Sequence, residues 1–239
     1  MHKALILGCS HAAGAEMDKD PNVKIDDNQR DTYGAQNSFP VIIAQSLNYQ
    51  PLNHAMGGGS NDAIFRIFES ELVNLSSIDI VIACWTGFDR GEVWYSAEQR
   101  WLQISHNLFN THQIIPNPIL LQGINQGGLI TDSNFFQEYG KLWNIMEANV
   151  YRGRLNKMKN ILSLNSLAQA HKIQVINIDS FYSIREYPWP ENISWPLPNT
   201  TFCDWCDQQS FEHTEWGHYF RPAHQAYANL ILENVCIGH

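Results

Sequence analysis

Near its start the chain runs Ala4-Leu5-Ile6-Leu7-Gly8-Cys9-Ser10-His11. Four apolar residues run into a glycine, and a serine and a histidine follow at once. A short apolar run closed by glycine reads as a buried strand that delivers Ser10 to a turn. A strand apolar on both faces belongs to a sheet covered on both sides, which is the habit of parallel sheets. The rest of the chain is read outward from this strand.

Residues 12–31 are polar and charged, with Gly14 and Pro21, and read as a loop. Residues 33–47 read as a helix starting near Pro40, since proline suits a first helical turn. Residues 51–55 are a short strand running into Gly57-Gly58-Gly59. Ser60 then fits an N-cap, with Ile64, Ile67, Phe68 and Leu72 as a helical stripe. A β-branched strand is expected over 78–85, a helix over 97–108 and a buried strand over 117–123. One long helix or two should fill 134–171, with Gly140 and Gly153 as breaks. A strand over 173–178 follows. A Pro- and Trp-rich loop over 180–209 precedes a closing helix over 221–235. Alternating strands and helices predict a three-layer α/β domain with a parallel sheet. With 239 residues and no linker-like segment, a single domain over 1–239 is expected.

The chain carries 15 basic against 24 acidic side chains, a net charge of −9. That balance disfavours a nucleic-acid surface, which needs a basic face. No apolar run approaches the roughly 20 residues of a membrane span. The apolar run near Met1 is too short for a signal peptide, so cytoplasmic placement is the default expectation. A phage or virion protein would share that feature. Five cysteines, at 9, 84, 203, 206 and 236, fit reduced thiols better than a disulfide framework.

In an open parallel sheet, ligands sit beyond the carboxyl ends of the strands. Ser10 lies there after the first strand, Gly57–Asn61 after the second, and Trp85-Thr86-Gly87-Phe88 after the third. A serine hydrolase needs a hydroxyl at a tight turn, an imidazole to take its proton and a carboxylate to hold the imidazole. Ser10, His218 and Glu215 supply these types. Glu215 and His218 are three residues apart, a spacing that can set a carboxylate on Nδ1 and leave Nε2 for Ser10. Gly58 can present its backbone N–H to an oxyanion. Each signal is weak alone; their placement at strand ends raises them together.

With these residues in view, the sequence resembles the SGNH (GDSL-type) hydrolases, as a divergent member. Gly8-Cys9-Ser10 with Gly14 looks like the first family block. Asn53 with Gly58 looks like the second, Thr86-Gly87-Phe88-Asp89 stands where the third belongs, and Glu215-Trp216-Gly217-His218 looks like the last. The resemblance spans nearly the whole chain. It implies a flavodoxin-like α/β/α fold and Ser-His-acid hydrolysis of carboxylic esters, with carbohydrate O-acyl or lipid esters as small-molecule substrates and no cofactor. Cys9 and Glu215 replace the usual aspartates. Phe88 stands where the family has its oxyanion asparagine, so Asn61 or Thr86 is expected to supply the third donor.

Two other readings compete. Cys203, Cys206, His213 and His218 are ligand types suited to zinc, though the gap to His213 is short for a finger. Trp189, Trp195, Trp205 and Trp216 could form a sugar-stacking platform on a catalytically weakened binding protein. Against that stands core packing beneath a long loop. A dinucleotide site is not indicated, because Gly57-Gly58-Gly59 does not make the G-x-G-x-x-G pattern.

Overall fold

The computed structural model describes residues 2–26, 29–74, 78–88, 90–95, 99–105, 150–181, 189–190, 193–197 and 200–235. Among the described residues the main sheet has four parallel strands in the order β2-β1-β3-β6. They are β1 (Lys3–Gly8), β2 (Gln50–Asn53), β3 (Ile78–Trp85) and β6 (Gln174–Asp179). β1 lies between β2 and β3, and β3 also pairs β6 from Ile80↔Gln174 to Trp85↔Asp179. The expected parallel α/β architecture is the one observed.

The alternation of side chains along a strand sorts the core into two layers. Ala4, Ile6, Ile80, Ile82, Ile176 and Ile178 face one side. There they meet α3 (Phe39–Ser46) and the closing helix α7 (Arg221–Asn234), through Phe39, Ile43, Tyr227 and Ile231. Leu5, Leu7, Val81, Ala83 and Trp85 face the other side. There they meet α4 (Asn61–Asn74) and α5 (Val150–Ala170), through Ile64, Phe68, Ile161 and Leu164. Both faces of β1 are buried, as its unbroken apolar run requires.

Ser60 caps α4: its Oγ accepts the Ala63 N–H at 3.1 Å. Pro222 stands in the first turn of α7. The helix read over 33–47 is two helices, α2 (Arg30–Asn37) and α3, because Ser38 is extended between them and serves as the N-cap of α3. The loop over 180–209 contains a short helix, α6 (Phe202–Gln208), capped by the Thr201 side chain on Asp204 N at 3.0 Å. Gly153 does not break α5. Its missing Cβ leaves room for the Phe88 carbonyl oxygen, which a methyl group would meet at 2.2 Å.

One expectation is overturned. Residues 100–105, read as part of a helix over 97–108, form a strand. β5 (Arg100–Ser105) pairs antiparallel with β4 (Arg90–Tyr95) as a separate hairpin. Alternation decides it: Trp94 lies opposite Trp101 and Glu92 opposite Gln103 on one face. The strand expected over 117–123, and the part of the helix expected over 134–149, lie outside the described residues.

The buried His224 joins α7 to α3. Its Nδ1 accepts the Phe39 N–H at 3.1 Å, one of the donors a helix start leaves without an internal partner. Burial pushes its pKa down to about 3, and the charge of nearby His218 adds to this. The folded state therefore keeps its full margin above the ordinary imidazole value and loses it as pH falls toward that of the buried ring. We predict that urea midpoints of the wild type drop between pH 7.5 and pH 4.5 more than those of His224→Gln. A site of this kind adds up to about 1.4 kcal/mol per pH unit to the slope. Parallel pH dependence in the two proteins would contradict this assignment.

Candidate active site

β1 ends in a single helical turn, α1 (Ser10–Ala13), with Ser10 as its first residue. Gly14 closes α1 in the left-handed region at φ 73°, where Ala15 N donates to Ser10 O at 2.9 Å. The turn packs backbone to backbone on α2. A Cβ on Gly14 would sit 2.0 Å from the Gly34 carbonyl oxygen, and one on Gly34 would sit 1.9 Å from that of Gly14. Glu16 follows, also left-handed at φ 61°. These two reversals swing the Glu16 side chain back toward the segment that precedes α7.

There Glu16 meets His218, 202 residues further on, with Oε2 2.8 Å from Nδ1. The same oxygen accepts the Thr214 hydroxyl at 2.7 Å, and Lys19 pairs with the other oxygen. Burial alone would raise the Glu16 carboxyl, but hydrogen bonds from Lys19, His218 and Thr214 outweigh it and hold the group at about 2. It stays ionised through the mildly acidic and neutral range. Glu215, expected on this nitrogen, is exposed instead. The chain turns between Thr214 and Gly217, with Gly217 N donating to Thr214 O at 2.9 Å, and the carboxylate on Nδ1 comes from β1's side of the molecule. Asp207, the other nearby acid, accepts the Tyr219 hydroxyl at 2.6 Å.

With Nδ1 engaged, the free nitrogen of His218 is Nε2. Among the described residues neither it nor Ser10 Oγ has a hydrogen-bond partner. The two residues are bridged by His11, whose ring lies 5.2 Å from that of His218, edge-on. His11 is buried against Phe181 at 4.9 Å and Phe202 at 5.4 Å. Burial, aided by His218, His224 and Arg90, pushes its pKa well below the ordinary value. A neutral ring beside His218 adds no repulsion when that imidazole gains a proton. Desolvation likewise raises the thiols of Cys84, Cys203 and Cys206, so they are poor thiolates.

The zinc set does not converge. Cys203 Sγ sits 3.4 Å from His11 Nε2, Cys206 is buried in the core, His213 Nδ1 meets the Thr214 carbonyl, and His218 meets Glu16. Among the described residues no three His, Cys, Asp or Glu could share a metal ion. The proposed tryptophan platform disperses too. Trp205 packs on Phe211 and Tyr227, and Trp189 packs with Trp195 on the second core layer. Trp216 is 64% exposed.

No protein-family model matches the sequence, and no curated protein sequence does either. Solved structures do match in shape. One, described as a lipolytic protein of the G-D-S-L family from Desulfitobacterium hafniense, superposes with a TM-score of 0.50 at 9% identity, covering 98% of this chain and all of that one. Another is an acetyl xylan esterase from Butyrivibrio proteoclasticus, with a TM-score of 0.47 at 14% identity; this chain spans 62% of it. The fold is that of the SGNH hydrolases.

In this SGNH fold, Gly58 lies beyond β2 with φ 71°. Asn61, expected to lend its amide to an oxyanion, is otherwise occupied. Its Nδ2 donates to Thr86 O at 3.3 Å and Gly87 O at 3.1 Å, and its Oδ1 accepts Thr86 N–H at 3.0 Å. Both amide hydrogens are spent on fixing the turn after β3. The Thr86 hydroxyl is buried and has no partner among the described residues. Phe88 turns its ring toward Arg154, 5.8 Å away, and offers no donor. Two residues were missed in the sequence, Glu16 and His11. No local pattern marks Glu16, because its partner is so distant in sequence.

The Asn61 geometry makes a prediction. Asn61→Ala strands buried groups at Thr86 and Gly87, and should destabilise the fold by about 2–3 kcal/mol in urea unfolding. A variant as stable as the wild type would return the amide to the oxyanion role.

Proposed function

We propose that this protein is a serine esterase working through Ser10, His218 and Glu16. The observation that carries this reading is the Glu16–His218 contact at 2.8 Å, which fixes Nδ1 and leaves Nε2 free beside the Ser10–His11 turn. In this reading, Ser10 Oγ attacks the ester carbonyl carbon while Nε2 takes its proton. The charge left on the former carbonyl oxygen meets the backbone N–H groups of Ser10 and Gly58, with the Thr86 hydroxyl as third donor. The intermediate collapses, the C–O bond to the alcohol breaks, and His218 returns the proton to the leaving oxygen. Water, with His218 again as base, then cleaves the acyl–Ser10 ester to free acid and serine. Glu16 keeps its charge throughout and stabilises the imidazolium in both steps.

Steady-state hydrolysis of p-nitrophenyl acetate tests the assignment. Ser10→Ala and His218→Ala should abolish turnover with the fold intact, since such residues act as a unit. Glu16→Gln should lower kcat by about 10²–10⁴-fold, while Glu215→Gln stays near wild type. Full activity in Glu16→Gln with a loss in Glu215→Gln would return the acid to Glu215. A separate arm concerns the third donor: Thr86→Val should cost about 10²–10³-fold in kcat with little change in KM. An unchanged kcat would leave only backbone donors at the oxyanion.

A further inference from the structure

The hairpin β4–β5 stands outside the main sheet and carries a cross-strand tryptophan pair. Trp94 and Trp101 lie 5.5 Å apart at 65°, and are 47% and 37% exposed. Between this hairpin, α4 and α5 lies a cavity of about 450 Å³. Trp101, Arg90 and Glu92 line it from the hairpin, Asp62 from α4, and Arg152 and Asn156 from α5.

The walls are held rigidly. Glu92 takes two bonds from Arg66, at 2.9 and 3.0 Å, and one from Gln103 at 2.8 Å. The Arg66 guanidinium lies 5.0 Å from the Trp101 ring and braces it. Asp62 accepts from Asn156 at 2.9 Å and from Asn160 at 2.9 Å. Arg90 Nη1 is buried and has no partner among the described residues. Buried guanidinium donors in folded proteins usually have acceptors. The Arg90 guanidinium also lies 5.1 Å from the Phe181 ring, which packs at 4.9 Å on His11. Arg90 therefore touches a ring that packs on the residue next to Ser10.

A long acyl chain fits such walls poorly, because it would strip water from carboxylates and guanidinia and give nothing back. A sugar ring fits them. Its C–H face can lie on indole, while its hydroxyls donate to carboxylates and accept from guanidinium and amide groups. We propose that this cavity is a sugar-ring subsite for the carbohydrate part of the ester, with Trp101 as its stacking face and Arg90 as its main hydrogen-bond donor. The proposal rests on the esterase reading for its place in a reaction, but sugar binding itself does not require hydrolysis.

The test uses the full-length chain and oligosaccharides that carry no ester. An array of neutral and uronate-bearing oligosaccharides is screened, and each hit is titrated by tryptophan fluorescence and calorimetry. Saturable binding is expected, weakened about tenfold or more in Trp101→Ala and in Arg90→Met. Circular dichroism and melting confirm that each variant is folded, and Trp101→Phe should retain part of the affinity. Selective loss of uronate binding in Arg90→Met would identify an acidic ring, and an equal loss for both classes a neutral one. Binding to nothing on the array overturns the subsite, as does binding that both variants leave unchanged. Sugar binding without ester hydrolysis would keep the subsite and remove the esterase, while hydrolysis without sugar binding would do the reverse.

Discussion

The arrangement at the mouth of the sheet depends on one contact, the Glu16 carboxylate against Nδ1 of His218. It ties the turn after the first strand to the segment before the last helix. A carboxylate in that position fixes the tautomer of the ring and the direction in which Nε2 points. The geometry that brings Glu16 there is costly in backbone terms. It needs a one-turn helix, a left-handed Gly14 pressed on Gly34, and a left-handed Glu16, which a non-glycine residue adopts reluctantly. Lys19 and Thr214 hold the carboxylate from either side, so the strained turn is tied down at its end as well as at its base.

The sheet supplies the platform. Its strands all run the same way, so their carboxyl ends gather Ser10, the Gly58 turn and Thr86 at one edge. That edge is stiffened by polar groups sealed within the core. Asn61 locks the turn after β3, and Lys157 pairs with Asp179 at the end of β6, 2.8 Å apart and fully buried. Trp85 Nε1 donates to Asn177, whose amide in turn exchanges hydrogen bonds with Asn165. Buried polar groups with satisfied partners are a weak source of net stability, but breaking one is expensive. Here they oppose rearrangement of the strand ends on which the site depends.

Much of this was legible in the sequence because it is local. The apolar runs of β1 and β3, the serine after β1 and the Ser60 cap all follow from nearest-neighbour chemistry. The carboxylate that meets His218 was not legible. Glu215 has the right spacing to His218, yet the chain turns it outward, and Glu16 sits in a charged stretch that reads as an ordinary loop. The hairpin was misread for a related reason. The segment containing Gln99 and Arg100 has helix-forming composition, but the pairing of Trp101 with Trp94 and of Gln103 with Glu92 overrides it. The spacing of Asn61 marks it out but does not say which carbonyls lie opposite its amide.

In the reading proposed here, His218, held by Glu16, activates Ser10. The most direct measurement is covalent labelling of the folded protein with a fluorophosphonate, followed by mass spectrometry of its peptides. One adduct per chain is expected, on Ser10, formed about 10²–10⁴-fold more slowly in Glu16→Gln, as when the orienting acid of a triad is replaced by its amide. An adduct on another residue, or no adduct on a folded chain, would contradict it.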